Sequence, residues 1–86
     1  MEIIYSGKAA KQIKSICKSD HKSAELIFQS IERFACDPQS PADLKILKGK
    51  KAIFYHLRVG NYRVVFEKDK EEMRIYEIKH RQGAYK

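Results

Sequence analysis

Thirteen residues constrain the fold of this chain more than the rest: Phe54–Phe66, FYHLRVGNYRVVF. Two β-rich runs, Ile53–Val59 and Tyr62–Glu67, flank Gly60-Asn61, a dipeptide suited to the positive φ of a two-residue hairpin turn. With those two as the loop, Val59 faces Tyr62, Arg58 faces Arg63, Leu57 faces Val64 and Tyr55 faces Phe66. Strand side chains alternate between faces. One face therefore gathers Tyr55, Leu57, Val59, Tyr62, Val64 and Phe66, an apolar surface that needs a cover. The other gathers Phe54, His56, Arg58, Arg63, Val65 and Glu67, so an aromatic ring, a histidine and two arginines share it.

The cover comes from the first half of the chain. After a short β-prone run, EIIY (2–5), Ser6 stands where a helix N-cap belongs. The helix it opens, about residues 7–18, puts Ala9, Ala10, Ile13, Ile16 and Cys17 on one stripe. Ser19 or Asp20 can cap a second helix with the stripe Ala24, Ile27, Phe28, Ile31, Phe34 and Ala35. Asp37-Pro38 ends that helix, because the residue before proline avoids helical angles. DPQSPAD (37–43) is turn chemistry, and LKILKGKK (44–51) reads as a basic connector. A polar loop, EKDKEE (67–72), leads to a last strand at about 73–80. The order β-α-α-β-β-β predicts an α+β fold: an antiparallel sheet with the two N-terminal helices packed on one face and the other face open.

The register of the last strand is not fixed by parity, since Met73 and Ile75 point one way and Tyr76 and Ile78 the other. The favoured register sends Tyr76 and Ile78 to the core and Lys79 and Arg81 to the open face. Cys17 and Cys36 lie at or beside helical apolar stripes, where buried free thiols are expected.

With 86 residues, 43% of them hydrophobic, residues 1–86 are expected to form one folded domain. No apolar run is long enough to span a membrane, and MEIIYSGK lacks the pattern of a signal peptide, so a cytoplasmic protein is the expectation. Residues 1–43 balance six basic against six acidic side chains, so the whole excess of +7 sits in residues 44–86 with the hairpin. A one-sided basic surface suits a polyanion, either nucleic acid or an acidic protein segment, and it also suits simple solubility. The cysteines have no metal-ligand spacing. The carboxylates Glu67, Asp69, Glu71 and Glu72 are interleaved with lysines in a turn, so no metal site is expected.

What remains is a basic and aromatic set: His56, Arg58, Arg63, His80, Arg81 and Tyr85, with Phe54 and the lysines Lys45, Lys48, Lys50 and Lys51. Each has a plain reading: a solvated strand histidine, a wet lysine loop, a frayed terminal tyrosine. Arg58 facing Arg63 is harder to explain that way, because like charges directly opposite weaken a sheet. Together the set suits RNA cleavage with no metal or cofactor. The 2′-hydroxyl attacks the adjacent phosphate, so the protein need only accept a proton, stabilise a transition state richer in negative charge, and return a proton to the leaving 5′-oxygen. Histidine or a perturbed lysine can be the base. Guanidinium groups match the phosphate oxygens, and aromatic rings stack on bases.

The runs LKG (47–49), HLRVGNYRVVFE (56–67) and HRQGAY (80–85) resemble the RelE/ParE superfamily of toxins from type II toxin–antitoxin modules, over nearly the whole chain. The resemblance implies one of two activities. RelE-like members are mRNA interferases, commonly acting on the ribosome, and ParE-like members poison DNA gyrase. In the RelE-like case it assigns Arg63 to the transition state, Arg81 to acid or charge stabilisation, and Tyr85 to orienting or stacking the RNA. Some RelE members carry two lysines on the first hairpin strand, where this chain has Phe54 and His56. His56 then becomes the candidate base, with Lys45, Lys48, Lys50, Lys51, Arg58, Phe54 and His80 as RNA contacts. The implied partners are mRNA, the ribosome with its rRNA, and a cognate acidic antitoxin. The RelE-like reading is preferred. The alternatives are a gyrase inhibitor without ribonuclease activity and a non-catalytic nucleic-acid-binding module.

Overall fold

The computed structural model describes residues 1–39, 43–49 and 53–80. Its elements are β1 (Glu2–Tyr5), α1 (Gly7–Ser19), α2 (His21–Cys36), β2 (Leu44–Lys48), β3 (Ile53–Val59), β4 (Tyr62–Lys68) and β5 (Glu72–His80). The strands form one sheet in the order β1-β5-β4-β3-β2. The α+β expectation is met, with two corrections. The sheet is mixed, because β1 pairs parallel to β5. The lysine-rich connector also contains a fifth strand, β2, antiparallel to β3. Its sequence LKILK carries too little alternation to look like a strand, and pairing with β3 supplies what propensity does not.

Local chemistry sets the helices. Ser6 Oγ accepts from Ala9 N at 3.0 Å, capping α1. Asp20 alone separates the helices and caps α2, accepting from Ser23 N at 3.2 Å and from Ser23 Oγ at 2.6 Å. These bonds favour the charged carboxylate and hold the Asp20 pKa low.

The hairpin forms in the expected register: Tyr55↔Phe66, Leu57↔Val64, Arg58↔Arg63 and Val59↔Tyr62. Gly60 takes φ 57°, the positive value that a II′ turn requires of its first central residue. Its apolar face is buried by Ala9, Ile13 and Ile16 of α1 and Ala24, Ile27, Ile31, Phe34 and Ala35 of α2. Phe66 is fully buried. It stacks on Tyr55 at 5.3 Å and meets Phe34 edge-on at 5.2 Å. Phe28 belongs less to this core than its spacing suggests. It is 39% exposed and lies against Tyr5, at the β1 edge of the sheet. Cys17 and Cys36 are exposed, which corrects the expectation of burial: each is adjacent to the buried stripe without being on it.

β5 resolves its parity conflict with a β-bulge. Val65 pairs with Glu77 but Phe66 pairs with Ile75, leaving Tyr76 as the extra residue. Met73, Ile75 and Ile78 are all buried, whereas Tyr76 is 42% exposed. The placement of Ile78 in the core holds; that of Tyr76 does not, because the bulge turns it outward. Beyond the end of β1, helix α1 serves the exposed edge of β5. Ser6 Oγ donates to Tyr76 O at 2.6 Å, and Gln12 Oε1 accepts from Ile78 N at 2.7 Å. The turn into β5 is held by Asp69, whose Oδ1 accepts from Glu71 N and Glu72 N, and by Arg74 bonding Asp69 and Glu72.

Removing the Phe66 ring leaves a cavity where strand and helix side chains meet. Phe66→Ala is expected to cost about 3–5 kcal/mol of unfolding free energy, read as a lower midpoint in urea denaturation at unchanged m-value.

Candidate functional site on the open sheet face

Strand register builds the site in two ranks. Across one run Lys45, His56, Val65 and Glu77, each paired to the next. Across the other run Arg58, Arg63 and Lys79. Adjacent strands lie ~4.8 Å apart, so the second rank is three cations standing side by side. Asp43, Lys45, Leu47, His56, Arg58 and Arg63 line a groove of about 330 Å³.

The charges are only partly matched. Arg58 Nε lies 3.9 Å from Asp43 Oδ2, and Arg58 N donates to Asp43 O at 2.9 Å. Glu77 takes Lys8 at 2.9 Å and Lys79 at 3.2 Å. Among the described residues, no carboxylate lies within ion-pair distance of Arg63 or Lys45. An anion in the groove would meet two cations not engaged by a described acid. A guanidinium and a lysine in this arrangement suit the non-bridging oxygens of a phosphate.

His56 sits between them. Burial lowers its pKa below 6.5, and Arg63, Lys79 and Lys45 lower it further, against a small upward pull from Glu77. The imidazole is therefore neutral at neutral pH and free to accept a proton.

Of the residues singled out in the sequence, Lys45, His56, Arg58 and Arg63 come together here, with Phe54 beside them. Phe54 packs on Tyr76, ring centroids 5.4 Å apart. Lys48 pairs with Ile53, and alternation points it to the helix side, away from Lys45. His80 pairs with Tyr62 and its ring meets the Tyr62 ring edge-on at 4.9 Å. That too is the helix side, so the structure does not bring His80 to the groove. Lys50, Lys51, Arg81 and Tyr85 lie outside the described residues. Lys79 was missed as a site residue, although the favoured register already put it on this face; the structure pairs it with Arg63. Asp43 and Leu47 were also missed. Neither is legible without the β2–β3 pairing that delivers them.

A small two-helix α+β protein with a cationic groove on its uncovered sheet face fits the class of toxins in toxin–antitoxin modules. Residues 3–85 match the family of ParE toxins of type II toxin–antitoxin systems (parDE), and the chain belongs to that family. Comparison with curated proteins finds no match. Among solved structures, the YoeB dimer from Staphylococcus aureus is similar at TM-score 0.78 and 19% identity, over 93% of this chain and 95% of that one. The toxin in the RelB–RelE antitoxin–toxin complex from Methanococcus jannaschii gives 0.74 and 22%, over 95% and 94%. YafQ from E. coli gives 0.68 and 12%, over 99% and 98%. The RelE/ParE resemblance seen in the sequence is thus met in the family and in the fold.

The site makes a pH prediction. In NMR titration His56 is expected to have its midpoint below 6.5, and Arg63→Ala should raise it by removing one repelling charge. Because the folded-state pKa is the lower one, protonating His56 opposes folding. Its contribution to stability is complete above about pH 6.5 and declines as pH falls through the interval below it.

Proposed function

We propose that this toxin is an endoribonuclease that cleaves mRNA by 2′-hydroxyl attack on the adjacent phosphate, inhibiting translation in the cytoplasm, on the ribosome. The observation that carries the reading is the placing of His56 beside Lys45 and Arg63, two cations not engaged by any described acid, which with burial hold its pKa down. His56 takes the proton from the 2′-hydroxyl, and Arg63 and Lys45 meet the non-bridging oxygens. Arg58 and Lys79 extend the positive surface along the RNA backbone. Electrostatic stabilisation of this kind acts on the charge gained in the transition state, and removing one preorganised donor costs roughly 10²–10³ in rate. Arg81 and Tyr85 keep the roles that the family resemblance gives them, proton donation or charge stabilisation and stacking.

A cognate antitoxin is the proposed protein partner. The YoeB–YefM complex from Staphylococcus aureus and the RelB–RelE complex are toxin–antitoxin assemblies with this fold. Here the edge strand β2, with the neighbouring start of β3, exposes Ile46, Leu47 and Ile53, a surface on which a partner's strand or helix can dock.

The matching family bears the ParE name, which favours a second reading, inhibition of DNA gyrase without RNA chemistry. Primer extension on messages from a cell-free translation reaction separates the two. New 5′ ends are expected on addition of the protein; intact message together with blocked supercoiling would select gyrase. Arg63→Ala is expected to cut the cleavage rate about 10²-fold with the fold retained, and His56→Gln should remove its dependence on a group titrating below pH 6.5. Cleavage unchanged in both variants would remove these roles.

A further inference from the structure

Beside the groove lies a second cavity, of about 410 Å³, lined by Lys8, Phe54, Val65, Tyr76 and Glu77. It shares no lining residue with the first, and Phe54 stands one strand step of ~6.7 Å from His56. The Phe54 and Tyr76 rings meet at 52°, so they form an open corner and not a closed sandwich. Val65, 8% exposed, makes an apolar floor. The bulge lets Tyr76 and Glu77, neighbours in sequence, share this face while Ile78 stays buried.

Glu77 supplies the polar wall. Its Oε2 takes Lys8 and its Oε1 takes Lys79. A carboxylate has about four lone-pair sites, so each oxygen keeps one acceptor position. The base that matches two adjacent acceptors is guanine, whose N1–H and N2–H donors lie side by side. Adenine and cytosine present a donor beside an acceptor, and uracil a single N–H between two acceptors. Lys8, also in the lining, has three donors and uses one on Glu77, which leaves donors that suit an acceptor such as the guanine O6. We propose that this cavity is a guanine-binding subsite: the base rests against Phe54 and Tyr76, with its Watson–Crick edge on Glu77 and Lys8. The proposal rests on the open face being an RNA-binding surface. The two lysines also hold the Glu77 pKa low, keeping the carboxylate an acceptor only.

The test is binding, so it does not depend on cleavage. Short 2′-O-methyl oligonucleotides, uridine throughout except for a single guanine, inosine or adenine, are titrated with the protein and followed by fluorescence anisotropy. Guanine is expected to bind about tenfold more tightly than inosine, which lacks the N2 amino group. Glu77→Gln should erase that ratio, and Tyr76→Ala should weaken guanine binding about tenfold by removing a stacking surface. Tyr76→Phe should restore it. Equal affinity for the three oligonucleotides overturns the proposal. So does a Glu77→Gln variant that loses thermal stability but keeps the guanine-to-inosine ratio, since Glu77 would then only tie α1 to the sheet. Guanine discrimination through Glu77 without RNA cleavage would overturn the ribonuclease reading alone. Cleavage by a protein that binds the three oligonucleotides equally would overturn the subsite alone.

Discussion

Arg58 stands directly opposite Arg63 because the hairpin cannot take another register. Leu57, Val59, Tyr62, Val64 and Phe66 are all buried on the reverse face. A one-residue slip would turn one strand's set of them into water. Burying each such side chain is worth about 1.5–3 kcal/mol, whereas an unfavourable like-charge cross-strand pair costs about 1 kcal/mol or less. The core wins by a wide margin. The cationic rank is therefore imposed by packing on the far side of the sheet, and Lys79 joins it through the same ladder. Function on one face is held in place by hydrophobic burial on the other.

The bulge in β5 is the second device. Met73 and Ile75 have one parity and Ile78 the other, and a regular strand could bury only one group. One extra residue lets all three reach the core. It also sends Tyr76 and Glu77, neighbours in sequence, to the same open face. Without it Tyr76 and Ile78 would share one face, so that burying Ile78 would bury Tyr76 as well and remove the Phe54–Tyr76 corner. Helix α1 makes the irregularity tolerable. Ser6 and Gln12 bond the β5 backbone where β1 has ended, and Lys8 reaches Glu77.

The electrostatics follow from this arrangement. Glu77 and Asp43 offset Lys79, Lys8 and Arg58, which leaves Arg63 and Lys45 facing the groove with no described acid on them. His56 lies among these charges and is pushed toward its neutral form. A positive field around a neutral base is a consistent design for handling an anion while moving a proton. It arises from side chains on four different strands.

The hairpin, its register and its two faces were legible in the sequence, because alternation over two strands and a Gly-Asn turn admit one solution. The Ser6 cap and most of the helical stripes were legible for the same kind of reason, because the code is local; the second cap was narrowed to Ser19 or Asp20, and the structure selects Asp20. So were the α+β class and the grouping of His56, Arg58 and Arg63. Partners distant in the chain were decided only by the tertiary structure. They include the parallel pairing of β1 with β5, the conversion of a lysine-rich connector into β2, the bulge that expels Tyr76, and the turning of Lys48 and His80 to the helix side. Each depends on which backbone lies alongside, and a strand edge takes its hydrogen bonds from whatever neighbour the packed core provides.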